Sequence, residues 1–347
     1  MQTIAIYGFG RIGRSVLRAA LKDNLFVPKI IGDIKDLDTL AALFKVDSNY
    51  GIWAEEVRAE GNTLHIGSRE IQYVDVKDGI PDWNAAGVDL VIECTGRATT
   101  RAAAQEHINH GAQYVLVSTA PKTLEDADAV LLPGINAETF DPSTQHIVSM
   151  ASCTTNALAS VVKVLRDAFG IQDGFFVTVH AYTNSQSLTD QPMKDRRDSW
   201  AAAENIIPSS SGAARALKFI WPDLNVTGKS YRVPVRTGSI VELNANLNRA
   251  VTADQIRQAF RDAASKAPMK GVMDVLEQEW PSARIVGDPH ASIVDLPLVQ
   301  VLNGTLVSVA AWYDNEYGYA ASLAGMAQHM AQAAQPEPGS QQKTPAD

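Results

Sequence analysis

Apolar residues in the first half of the chain fall into short unbroken runs separated by stretches of helical period. Residues 3–7 are one such run. A glycine-rich turn, Gly8-Phe9-Gly10-Arg11-Ile12-Gly13, follows it, and Val16, Leu17, Ala20 and Leu21 then recur on one face of a helix. The next run is 29–33, and others stand at 89–94, 114–117 and 146–150, with a helix predicted over 99–109. Short apolar strands alternating with helices predict a parallel sheet covered on both faces. Residues 55–73 alternate between polar and apolar positions and read as an antiparallel insertion.

Beyond residue 150 the pattern changes. Longer strands are predicted at 174–182, 229–246, 272–276 and 306–313, with helices at 213–219 and 252–265. Long strands with few helices predict an α+β unit with a mostly antiparallel sheet. The expected organisation is a doubly wound α/β dinucleotide-binding domain over 1–151 and a catalytic domain over 152–318. A helix over 319–334 packs back on the first domain, and a disordered, Pro- and Gln-containing tail covers 335–347.

Composition narrows the classes. A net charge of −9 argues against a nucleic-acid or anionic-membrane binder. Two cysteines in 347 residues make no disulfide scaffold and favour a reducing compartment. The N-terminus lacks a secretory pattern, and no apolar stretch reaches the ~18 residues of a membrane span. A cytoplasmic location is expected.

The glycine turn matches G-x-G-x-x-G between a strand and a helix, with Asp33 twenty residues beyond Gly13. This is the Rossmann fingerprint: Gly8 for the turn, Gly10 for close approach of a pyrophosphate, Gly13 for helix–strand packing, Asp33 for ribose hydroxyls. An acid there repels a 2′-phosphate, which favours NAD over NADP. Cys153, in Ala151-Ser152-Cys153-Thr154-Thr155-Asn156, falls in the first turn of a helix whose apolar face runs Leu158, Val161, Val162, Leu165 and Phe169. Free N–H groups at such an end stabilise a thiolate and can hold an oxyanion. Position alone supports a buried inert cysteine equally well, and a histidine partner has to decide. Strand alternation offers His180 on one face with Phe176 and Thr178, although a structural histidine fits that pattern too. Cys94, inside an apolar strand, reads as core. His107 and His110 share a helix face without a Cys or carboxylate partner and read as solvated, so no metal is expected. Ser209 to Gly212 precede a helix and suit either an oxyanion or plain N-capping. Arg232, inside a strand-like run, implies an anionic substrate or an ion pair.

These motifs are more specific together. Residues 1–333 resemble the phosphorylating glyceraldehyde-3-phosphate dehydrogenase family in GFGRIGR, ECTG, ASCTTN, HAYTNSQ, AAAENIIPSSSGAA, RVPV and WYDNEYGY. The resemblance implies Cys153 as nucleophile and His180 as the base that activates it. It implies Gly8, Gly10, Arg11, Ile12, Gly13 and Asp33 around NAD, with Thr95 and Ser118 nearby. Asn315 is implied to fix the nicotinamide carboxamide, with Ile12 and Tyr317 packing around the ring. Thr183 and Arg232 match a pocket for the substrate's phosphate, and Ser152, Thr154, Ser211 and Gly212 one for inorganic phosphate. A cytoplasmic homotetramer of glycolysis is implied, oxidising glyceraldehyde 3-phosphate to 1,3-bisphosphoglycerate through a Cys153 thioester.

The chain departs from the family pattern at Tyr7 and Gly32, where Asn is usual, at Gln191 for Leu, at Ser211 for Thr, and at Asp198 and Trp200, where arginines are common. Asp288-Pro289-His290 resembles the erythrose-4-phosphate dehydrogenase branch, which makes that activity the nearest alternative. A non-catalytic dinucleotide-binding protein is the alternative from another class.

Overall fold

The computed structural model describes residues 2–335, so nearly all of the predicted tail lies outside the described residues. Two large sheets carry the chain. The first has nine strands in the order Ala129–Val130, Ile147–Ser149, Tyr114–Val117, Leu90–Glu93, Ile4–Tyr7, Ile30–Asp33, Arg69–Asp75, Thr63–Ile66 and Val57–Glu60. All pairings through Arg69–Asp75 are parallel, and the last two strands append an antiparallel meander, the predicted insertion. The strands bury both faces, as the unbroken apolar runs require: Leu90–Glu93 and Tyr114–Val117 are buried at every position.

The second sheet runs Ile207–Ser209, Val226–Val233, Ile171–Ala181, Ser239–Leu247, Leu306–Tyr313, Ser292–Asp295 and Met273–Leu276, with Gln300–Leu302 also on Leu306–Tyr313. It is mixed: five pairings are antiparallel and two, Ile171–Ala181 with Val226–Val233 and Met273–Leu276 with Ser292–Asp295, are parallel. The single strand expected over 229–246 is two strands. Pro234 has no N–H to give a ladder, and the chain reverses through Gly238 at φ +90°.

The helix Cys153–Phe169 lies on the second sheet and starts at the seam, so that Cys153 packs against both main apolar clusters. The helix Tyr317–Ala333 returns to the first sheet, burying Leu323, Ala327 and Met330 in the same cluster as Val16 and Leu17. Among the described residues no helix is long and apolar enough to cross a membrane.

Candidate active site

The glycine turn is forced by space. A Cβ on Gly13 would sit 2.1 Å from the Gly8 carbonyl oxygen, and one on Gly8, at φ +92°, 2.7 Å from the Thr95 nitrogen. Gly10 is the opposite case. It caps the helix Arg11–Lys22 with no side-chain hydrogen bond, and a Cβ there meets nothing within 4 Å because it would project into the cleft. Asp33 ends its strand beside this turn, accepting from Phe9 N–H at 2.6 Å and from Lys35 N–H at 3.0 Å. Tyr7, Gly8, Gly10, Asp33 and Thr95 line a cleft of about 690 Å³. Thr95 is held by its N–H and hydroxyl on Glu93 Oε1. A bare helix N-terminus, a turn that excludes side chains and a carboxylate twenty residues on fit a dinucleotide.

Glu93 also corrects the reading of His107. His107 is 1% exposed, its Nε2 3.2 Å from Glu93 Oε2 and its Nδ1 accepting from Trp83 Nε1. It follows Ala104 by three on the buried face of its helix, whereas His110 lies past the helix end in solvent.

A second cleft of about 980 Å³ shares Asn184 with the first and is lined by Ile12, Ser118, Cys153, His180, Thr183 and Asn315 among others. Its geometry starts at Ala151, held at φ +54° just ahead of the cysteine helix. That conformation is costly for a residue with a Cβ and persists only when its surroundings over-determine it. Here Ala151 N–H donates to Ser149 Oγ, and Tyr319 donates to the Ala151 carbonyl. Ser152 then caps the helix, accepting from Thr155 N–H at 3.2 Å, and Cys153 opens it half-buried. Hydrogen bonding from Thr154 at this helix end favours the thiolate form of Cys153.

His180 faces it. Alternation along Ile171–Ala181 buries Phe176, Thr178 and His180 and exposes Phe175 and Val179, as predicted. His180 Nε2 lies 3.4 Å from Cys153 Sγ. On the other side of the ring, Nδ1 is 2.7 Å from the Ala181 carbonyl and also touches the Arg232 guanidinium. Nδ1 thus has an acceptor, the carbonyl, and a donor, the guanidinium, beside it; in the tautomer with the proton on Nδ1, toward the carbonyl, Nε2 is an acceptor for the thiol proton.

Taken singly, burial pushes the Cys153 thiol up, against Arg232 and the Thr154 N–H. Burial and then Arg232 push the His180 imidazole down to about 3. The pair behaves differently. Moving the thiol proton to Nε2 creates opposite charges 3.4 Å apart, attracting by about 5 kcal/mol at an effective dielectric near 20. That attraction lowers the thiol and raises the imidazole relative to each alone. An anion beside Arg232 would remove a repulsion and push the imidazole further the same way.

Asn315 is oriented by its acceptor side. Its Oδ1 takes hydrogen bonds from Ser239 Oγ at 2.9 Å and Gly238 N–H at 3.2 Å, which leaves Nδ2 to donate into the cleft. The Arg11 guanidinium is committed to Asp47 and Glu316, so only its backbone N–H remains for a ligand at the helix end. Tyr317 does not line this cleft. Its ring packs 5.3 Å from Tyr50 with the Lys22 ammonium over it. Tyr319 lines the cleft instead, because two residues along a helix turn by about 200°.

The anion residues separate as well. Thr183 lines the Cys153 cleft. Arg232 stands opposite His180 in register on the adjacent strand. Ser211 Oγ accepts from Ala213 N–H at the start of the helix Ala213–Ile220, which Gly212 caps, and neither lines the cleft. Sequence reasoning passed over Tyr313, Ser239 and Tyr319. Tyr313 was detectable, since the inward set Val307, Val309, Ala311 continues to it at period two.

Two family models and several known proteins are similar to this chain. A family model described as the NAD binding domain of glyceraldehyde 3-phosphate dehydrogenase matches residues 2–101, and one for its C-terminal domain matches 152–315. The glyceraldehyde-3-phosphate dehydrogenase of Kitasatospora aureofaciens is 45% identical over 92% of this chain and 96% of its own. Those of Geobacillus stearothermophilus and Bacillus subtilis are each 40% identical over 94% of this chain and 98% of their own.

Proposed function

Because the chain belongs to the glyceraldehyde-3-phosphate dehydrogenase family, NAD-dependent oxidoreductases, and has that activity, we propose that Cys153 and His180 perform the chemistry as nucleophile and base. Nε2 takes the thiol proton, and Sγ adds to C1 of glyceraldehyde 3-phosphate. The carbonyl oxygen takes the proton back from Nε2, giving a thiohemiacetal on the sulfur. Nε2 next removes that hydroxyl proton as the carbonyl reforms. NAD, when bound, supplies the acceptor for the hydride that leaves C1. The thioester left on Sγ is attacked by inorganic phosphate, and the departing thiolate faces the imidazolium again. The products are an acyl phosphate and the resting pair.

The single supporting observation is the 3.4 Å approach of Sγ to Nε2 at a helix N-terminus. A module that only binds a dinucleotide needs neither group. In this reading Gly8, Gly10, Arg11 N–H, Gly13 and Asp33 hold the dinucleotide, with Ile12, Thr95, Ser118 and Tyr319 along its path. The Asn315 Nδ2 fixes the carboxamide. Arg232 and Thr183 take the substrate phosphate, and Ser152 and Thr154, with Ser211 and Gly212 from the helix start beyond the cleft, serve the attacking phosphate. A homotetramer in the cytoplasm completes the proposal.

The test is a steady-state comparison of glyceraldehyde 3-phosphate with erythrose 4-phosphate, NAD with NADP, and phosphate present with phosphate omitted. Preference for the triose, for NAD, and strict phosphate dependence are expected. Equal turnover without phosphate overturns the acyl-transfer step, and a higher kcat/KM for the tetrose overturns the substrate.

A further inference from the structure

One wall of the first cleft, where the strands Ile4–Tyr7 and Leu90–Glu93 end, spends its polar side chains on itself. Thr95 gives its N–H and its hydroxyl hydrogen to Glu93 Oε1, and its oxygen accepts from Arg97 N–H at 3.1 Å. The His107 ring is engaged on both nitrogens, by Glu93 Oε2 at 3.2 Å and by Trp83 Nε1 at 3.2 Å. Tyr7 is the exception. It lines the cleft half-buried, its ring T-shaped against His107 at 4.7 Å and Trp83 at 6.1 Å between centroids. Its hydroxyl hydrogen-bonds to none of the described residues, yet it is not among the polar atoms sealed unpaired in the interior.

The ring has this place because Gly32 leaves it free. Tyr7 and Gly32 stand opposite each other in register on parallel strands, so both positions face the same side of the sheet. A Cβ on Gly32 would sit 3.2 Å from Tyr7 Cδ2 and 3.1 Å from Val76 Cγ1, tighter than ordinary van der Waals contact. Gly32 has no positive φ, so space beside the ring, not the backbone, favours a glycine there. Both are positions at which the chain departs from the family pattern.

We infer that Tyr7 is a recognition residue for the adenosine half of the dinucleotide, seated by Gly32: the ring fills the space a side chain at 32 would take, and the free hydroxyl is the hydrogen-bonding group this wall offers a ligand. The adenosine half is indicated because Asp33, the acid suited to ribose hydroxyls, follows Gly32 and lines the same cleft, whereas Cys153 and Asn315 line the other. A phenol both donates and accepts, and so can pair with a ribose hydroxyl or a base nitrogen.

This inference rests on the reading of the first cleft as the dinucleotide site, and its test needs no turnover. Titration calorimetry on the full chain measures binding of ADP-ribose and of AMP. Tyr7→Phe keeps the ring and removes the hydroxyl, and should weaken both ligands by about five- to tenfold, the worth of one hydrogen bond. Gly32→Ala should weaken ADP-ribose binding while the Tyr7 ring is present, and much less in a Tyr7→Ala background. Unchanged affinities in Tyr7→Phe, a loss for ADP-ribose that AMP does not share, or equal effects of Gly32→Ala in both backgrounds overturn the inference. Failure of the unaltered chain to bind ADP-ribose would instead overturn the reading of the cleft itself.

Discussion

Removing the imidazole isolates its attraction for the thiolate. In His180→Asn the sulfur keeps its helix end and Arg232 but loses the acceptor 3.4 Å away. The attraction of about 5 kcal/mol between thiolate and imidazolium corresponds to at most about 3.5 pK units. Burial of both groups consumes part of it, so a rise of at least about one unit in the Cys153 inflection is expected for His180→Asn. Alkylation by a neutral reagent, followed from the acid to the alkaline side, reads this directly. With general-base help also lost, kcat should fall by about 10²–10⁴-fold. The two readouts should move together. An alkylation inflection that stays in place, or moves down, refutes the ion-pair reasoning even if kcat falls.

Two further perturbations address the cofactor. Gly10→Ala should leave unfolding stability within about 0.5 kcal/mol but weaken NAD binding, since the added methyl meets no protein atom and enters the cleft. Gly13→Ala, whose methyl would meet a backbone oxygen at 2.1 Å, should destabilise by about 1–3 kcal/mol in denaturant unfolding. Equal effects of the two would contradict the assigned roles. Asn315→Ala removes the donor that Ser239 and Gly238 orient, and should lower kcat/KM for NAD by about tenfold, the worth of one hydrogen bond. An unchanged value would take Asn315 out of carboxamide binding.

Much of this was legible before any coordinates. Unbroken apolar runs reported strands buried on both faces, and the spacing from Gly8 to Asp33 reported a dinucleotide turn, because backbone sterics leave few residues free to vary there. Cys153 and His180 were separately ambiguous and became informative only as a pair, and their pairing is a fact of three dimensions. Three features needed the structure. The strand pattern of 229–246 reads as continuous, while the chain breaks it between Val233 and Ser239 around Pro234 and Gly238. His107 looks polar in sequence, yet it is buried because Glu93 and Trp83 satisfy both ring nitrogens. The register of Tyr317 and Tyr319 depends on where the last helix begins: both rings are buried, but a two-residue step decides which one lines the Cys153 cleft. Arg232 was recognisable as a charge needing a partner, but its neighbour is an imidazole and not a carboxylate.

The central claim is that the acyl group passes through Cys153, and a single-turnover experiment without phosphate tests it most directly. Enzyme mixed with NAD and glyceraldehyde 3-phosphate should release one NADH per chain in a burst and then stall. Mass spectrometry should find the acyl group on the peptide containing Cys153, and added phosphate should discharge it. Sustained turnover without phosphate, or a burst that leaves Cys153 unmodified, would contradict the account.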